Sequence, residues 1–190
     1  GILTTSVDTG KDFVGTAKND LFVASDAGPG GATPTWSVAD TIDGGKGEDW
    51  LTIVSATAVG TSQFENNTMK SIEEVDINAG DKNIILDTTQ AGKVAENFKA
   101  VTDLKLTTTT GNIDVTVDGT KNVTATTTDA ATPGIITVTG GKNIVAKTDG
   151  VITIDEDADA TTAATIEKIT IDGLGAASLI GTNDSVDALK

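Results

Sequence analysis

Gly44-Gly45-Lys46-Gly47-Glu48-Asp49-Trp50-Leu51-Thr52 reads G-G-x-G-x-D-x-(large apolar)-x without a departure. Each residue type in that order has a physical task. Glycine admits φ > 0, so carbonyl oxygens of the turn can be aimed inward at one point. Asp49 adds a hard anionic oxygen, the donor that Ca²⁺ requires among its roughly 6–8 oxygen ligands. Leu51 begins a short strand and anchors it in a core. The same residues also suit a Gly-rich surface turn between two strands, and a unit of this kind needs stacked neighbours to be stable.

A weaker copy lies upstream. Gly15-Thr16-Ala17-Lys18-Asn19-Asp20-Leu21-Phe22 keeps the Gly, the Asp and the large apolar residue at an offset of 29 residues (15 to 44). Turns so spaced can stack in adjacent coils and share one Ca²⁺. Alternatively, each can complete its own site from nearby carboxylates, of which Asp12, Asp26, Asp40 and Asp43 are candidates. Near the end, Ile180-Gly181-Thr182-Asn183-Asp184-Ser185-Val186 echoes the upstream copy two residues shorter and offers Asp184 as a ligand. Asp155-Glu156-Asp157-Ala158-Asp159 sets four carboxylates within five residues. Such a run is ordinarily a solvated loop. With Asp157 and Asp159 turned to one side it is also a candidate calcium site.

Beyond residue 50 the pattern repeats. Ile72-Glu73-Glu74-Val75-Asp76-Ile77 recurs as Val101-Thr102-Asp103-Leu104-Lys105-Leu106 and as Ile166-Glu167-Lys168-Ile169-Thr170-Ile171. The alternation at the end of each copy is that of a strand with one buried face. The first two copies are 29 residues apart, and weaker versions starting at Val123 and Ile144 give steps of 22, 21 and 22 up to Ile166. Steps of roughly 20–30 residues predict a solenoid with one coil per repeat. Lys-Asn-(Ile/Val) recurs at Lys82, Lys121 and Lys142, which predicts a ladder of Asn side chains from coil to coil. Second strands are predicted over 113–117, 135–138 and 151–154, separated by turns such as Asp118-Gly119 and Asp149-Gly150. The best helical stretch is 93–99. Residues 28–40 hold two of the three prolines and read as an inserted loop. Its Trp36 either caps the end of a core or offers a stacking platform.

Composition narrows the function. Acidic residues outnumber basic ones by 28 to 13, for a formal net charge of -15. Nucleic acid would be repelled, whereas divalent cations would relieve the self-repulsion. Aromatics are 3% of the chain, too few for a large aromatic core. With no Cys and no His, there is no thiol nucleophile, thiolate site or imidazole base. Arg and Tyr are also missing, and Thr makes up about one residue in six, a β-branched enrichment that favours strands. No apolar run is long enough to span a membrane. The start shows no classical signal peptide, and the chain is expected to be a piece of something larger. Carboxylate pairs such as Glu73/Glu74 sit among solvated faces, so no enzyme is expected.

The segment from Gly15 to Phe22, followed by Asp40-Thr41-Ile42-Asp43-Gly44-Gly45-Lys46-Gly47-Glu48-Asp49-Trp50-Leu51, resembles an RTX-type module of bacterial surface-layer proteins and large adhesins exported by type I secretion. The strand units at 72–77, 101–106 and 166–171 are similar to those of the surface-layer members. The chain lacks the tandem run of nonapeptides found in array-type members. The resemblance implies an all-β fold, a right-handed parallel β-helix or β-solenoid with calcium turns. It further implies an extracellular location at the cell surface and self-association into a two-dimensional lattice anchored on polysaccharide. An uncleaved C-terminal export signal would account for the missing leader. A spacer or binding segment of a calcium-dependent adhesin is the other member type it fits. The implied ligands are Asp20 and Asp49 by side chain, with Gly15, Gly44, Gly45 and Gly47 near them through main-chain oxygens. Residues 1–55 are then a calcium-binding entry module and 56–190 the solenoid repeats, in one continuous elongated domain.

Overall fold

Alternating Val, Ile and Thr suit a pleated, half-buried surface, and strands form where that alternation occurs. The computed structural model describes residues 1–4, 6–25, 35–36, 39–155, 166–173 and 179–181. In chain order the strands are β1 (Leu21–Ser25), β2 (Thr41–Asp43), β3 (Trp50–Val54), β4 (Val59–Gly60), β5 (Thr68–Lys70), β6 (Glu74–Asn78), β7 (Ile84–Asp87) and β8 (Asp103–Thr108). They continue as β9 (Ile113–Thr116), β10 (Asn122–Thr127), β11 (Ile136–Thr139), β12 (Asn143–Lys147), β13 (Ile152–Asp155), β14 (Lys168–Asp172) and β15 (Leu179–Gly181). The α-helix α1 (Lys93–Asn97) falls where a helix was expected. No helix among the described residues is long and apolar enough to cross a membrane.

The strands form a seven-stranded sheet, β1-β3-β6-β8-β10-β12-β14, a six-stranded sheet, β15-β13-β11-β9-β7-β4, and a pair, β2-β5. Every described pairing is parallel. Each strand pairs with its counterpart one circuit along the chain. The architecture is mostly β with parallel sheets, consistent with an all-β, solenoid-like fold. The large sheet and its core run through residue 55 without a break.

Register gives the length of each circuit. The partners Leu21, Trp50, Glu74, Asp103, Asn122, Asn143 and Lys168 stand 29, 24, 29, 19, 21 and 25 residues apart. The two 29-residue offsets read from the sequence are thus the first and third circuits. The steps of 22, 21 and 22 need correction. Val123 pairs with Leu104, not Val101, and Ile144 with Ile169, not Ile166, so both hold the second apolar place of the repeat.

Inward side chains stack in columns, such as Phe22-Leu51-Val75-Leu104-Val123-Ile144 on the large sheet and Ile84-Ile113-Ile136-Ile152 on the other. Each buried Leu, Ile or Val contributes about 1.5–3 kcal/mol. The first three circuits have room for a third side, made by β2, β5 and α1, and larger residues fill it. Phe64 lies with its ring centroid 5.9 Å from Trp36 and 4.9 Å from Phe98. Trp36 is therefore a core residue, buried among these rings, and not a stacking platform. In the shorter circuits the third side is gone, and Ala125 and Ala146 stand in the column that Ile77 and Leu106 occupy above them. Gly111, Gly134 and Gly150 stack at the corner, too close for side chains. Thr108 Oγ1 donates to the Gly111 carbonyl at 2.6 Å and Thr148 Oγ1 to that of Gly134 at 2.9 Å.

The expected side-chain ladder exists but is split between two faces. Asn143 Nδ2 donates to Asn122 Oδ1 at 2.8 Å, and Asn122 Nδ2 to Asp103 Oδ1 at 3.0 Å. Asn83 belongs to the other sheet, where its Oδ1 accepts the Asn112 N–H at 2.9 Å.

Candidate metal centre

The two Gly-to-Asp turns stack directly, with corresponding residues 29 apart. Asp20 N–H donates to Asp49 Oδ1 at 2.7 Å, and Glu48 N–H to Asn19 Oδ1 at 3.2 Å. Main-chain bonds tie the turns edge to edge: Gly15 N–H to Asp43 O at 2.6 Å, Lys46 N–H to Thr16 O at 3.2 Å, and Trp50 N–H to Asp20 O at 2.9 Å. A third turn follows below. Gly44 N–H donates to Lys70 O at 2.9 Å, and Asp49 N–H to Glu73 Oε2 at 2.9 Å. Here the chain passes from Lys70 to Glu74 without the Gly-rich loop, and Ser71 makes the bend at φ 50.

The glycines of the nonapeptide meet two demands. Gly45 and Gly47 stand at φ 92 and φ 131, conformations costly for other residues. Gly44 is packed so tightly that a Cβ would collide with the Ser71 carbonyl oxygen and lie 2.5 Å from Asp49 Oδ2. Gly15 is likewise pressed against the Gly44 carbonyl.

The two aspartates then differ. Asp20 Oδ2 accepts the Thr16 N–H at 2.6 Å and the Thr16 hydroxyl at 2.8 Å. The backbone N–H first, and then the hydroxyl, hold its carboxyl below the ordinary aspartate range. Asp49 is fully buried. Its Oδ1 is satisfied by Asp20, but its Oδ2 has no hydrogen-bond partner among the described residues. A buried carboxylate oxygen left alone is costly, and cation coordination is one of the few ways to compensate it. An orphaned hard oxygen in a glycine cradle lined by carbonyls fits calcium's preference for oxygen donors. Among the described residues no three carboxylates converge on one point, so a cation here would take much of its shell from main-chain oxygens and water.

Of the residues singled out in the sequence, Gly15, Asp20, Gly44, Gly45, Gly47 and Asp49 are brought together in this stack. Asp43 stands at its entrance, with Oδ1 accepting the Gly45 N–H at 3.1 Å. Asp157, Asp159 and Asp184 lie outside the described residues. Two features escaped the sequence reading. Glu73 is not a solvated face residue but the lower rung of the stack. Its neighbour Glu74 accepts the Trp50 Nε1–H at 2.7 Å. A second stack repeats the first: Thr4 N–H and hydroxyl donate to Asp8, and Asp8 N–H donates to buried Asp40 Oδ1 at 2.9 Å. The available signal was Thr-x-x-x-Asp, present at both Thr4 and Thr16. From Asp40 this corner continues to buried Asn97, whose Oδ1 accepts the Met69 N–H at 2.9 Å and whose Nδ2 donates to the Phe64 carbonyl at 2.8 Å. The chain matches no protein-family model and no curated protein sequence.

Proposed function

We propose that this chain is a calcium-stabilised, right-handed parallel β-helix that serves as a structural component of a bacterial surface layer outside the cell, self-associating into a two-dimensional lattice. The observation that carries the reading is the fully buried Asp49, whose Oδ2 stands unpartnered inside a glycine cradle at the stacked Gly-to-Asp turns. The net charge of -15 supports it, because bound divalent cations offset carboxylate repulsion on folding and on assembly. The RTX-type resemblance supplies the setting at the cell surface, with anchoring on polysaccharide through other regions. No catalytic role is assigned: the chain has no His, Cys, Tyr or Arg, and Glu73 and Glu74 are engaged by the Asp49 N–H and the Trp50 indole.

Asp49 and the main-chain oxygens around Gly44 would hold the ion, whose charge would neutralise the buried carboxylate and join adjacent circuits. Binding to the folded state alone stabilises it by about 2.7 kcal/mol at a free ion concentration of about 100 Kd. For a chain of this length that raises Tm by roughly 5–10 °C. Thermal melts in calcium and in chelator measure the shift, and electron microscopy of the longer protein with and without calcium reports on sheets. Equal melting curves under the two conditions would remove the ion from the fold. Planar arrays that form only with calcium are the result expected, whereas isolated filaments would point to an adhesin spacer.

A further inference from the structure

The expectation that the two Gly-to-Asp turns share an ion places it between the first and second circuits. The oxygen inventory there argues otherwise. Asp20 Oδ2 is taken by Thr16, through both its N–H and its hydroxyl, and Asp49 Oδ1 is taken by the Asp20 N–H. Asp49 Oδ2 is the carboxylate oxygen left over, and it lies on the other side, beside Gly44 Cα, where the Ser71 carbonyl oxygen also arrives. Ser71 reaches that point by adopting φ 50, a left-handed conformation that a Ser adopts only where its surroundings enforce it. Glu73, also on the third circuit, brings a second negative charge beside Asp49, its Oε2 2.9 Å from the Asp49 nitrogen.

We propose that the cation site lies between the second and third circuits, with Asp49 Oδ2 and the Ser71 main-chain oxygen as ligands and Glu73 as the charge that tunes affinity, the Thr16–Asp20 turn being a lock that works without metal. The third circuit carries no glycine-rich turn of its own, so the site needs one Gly-to-Asp turn and takes one ion. This rests on the calcium reading above and says where on the stack the ion binds and which residues set its affinity.

The test is a calcium titration of the whole chain by calorimetry, repeated with Tb³⁺ as a luminescent probe excited through Trp50, which adjoins Asp49. Far-UV circular dichroism and melting in chelator verify that each variant folds. Wild type is expected to bind one ion at this stack. Asp49→Asn is expected to weaken binding by about a hundredfold, as for loss of a ligand, and Glu73→Gln by roughly tenfold, as for a neighbour of the ligand. Asp20→Asn keeps an acceptor for the Thr16 N–H and is expected to bind within about twofold of wild type. A loss at Asp20→Asn equal to or greater than that at Glu73→Gln, or an unchanged Glu73→Gln, would overturn the placement while leaving calcium binding intact. Wild type that binds neither Ca²⁺ nor Tb³⁺ would overturn the calcium reading itself.

Discussion

The first three circuits and the later ones solve the same stacking problem with different materials. The early circuits are 24 to 29 residues long and have a third side. They bury Trp36, Phe64, Met69 and Phe98 together with a polar column of Asp8, Asp40 and Asn97. The next two are 19 and 21 residues long. Their core is Val, Ile and Ala, and their corner is turned by Thr hydroxyls on glycine carbonyls. Circuit length therefore sets the volume to be filled, and volume sets the side chains. The longer circuits also have the backbone to spare for a loop that positions a ligand. That is why the metal-site features gather at one end of the stack while the other end is built for packing alone.

The sharpest way to break this contrast is to exchange core sizes. Phe64→Ala in the wide region removes the ring that joins Trp36 to Phe98 and should cost about 3–5 kcal/mol in denaturant unfolding. Ala146→Leu in the narrow region has no such space to fill and should cost about 1–3 kcal/mol. Stabilisation by Ala146→Leu would show that the narrow core is not close-packed. Asn97→Ala strands the Met69 N–H and the Phe64 carbonyl inside the wide region and should cost about 1–3 kcal/mol.

Acid sharpens the comparison further. Asp20 is held below the ordinary aspartate value by the Thr16 N–H and hydroxyl, and Asp129 by the N–H groups of Thr132 and Ala131. At Asp118 burial pushes upward, but the Thr120 hydroxyl and N–H together with Lys121 outweigh it. In each case the folded value lies below the unfolded one. The stabilisation is therefore complete above about pH 4 and is lost as pH falls through the lower folded values. Unfolding followed in chelator from pH 6 downward should show this loss in wild type. Thr16→Val should reduce the share from Asp20 without abolishing it, because the backbone N–H is the larger cause. The smallest effect is expected at Lys147. Its ammonium is 2.8 Å from Asp172, which raises its pKa chiefly through the hydrogen bond, but both side chains are exposed. Lys147→Ala should move Tm by no more than about 1 °C.

The 29-residue offset between Gly15 and Gly44 was legible because both turns kept their glycine and aspartate, and stacking turns must be one circuit apart. The strand alternation was legible for the same reason: a buried face imposes a two-residue period. The alignment of Val123 and Ile144 was misread by three residues because the circuits shorten, and a fixed template cannot register a change in circumference. The third side was hidden because β2 and β5 are three residues each, too short to show a period. Glu73 was hidden because a carboxylate that caps a neighbouring circuit's N–H looks in sequence like one facing water. The lone Oδ2 of Asp49 could not be read from spacing at all, since it depends on which donors have already been claimed by Asp20 and Thr16.

Because each strand is hydrogen-bonded to a counterpart one full circuit away, tension applied between the two ends of the chain would act on those interfaces one after another. Circuits would peel singly, each releasing its own contour length. A circuit of 29 residues frees roughly 100 Å of extended chain and one of 19 residues roughly 65 Å. A force–extension trace would then carry a barcode of unequal steps, written in the order of the circuits and shortest where the core is alanine-lined.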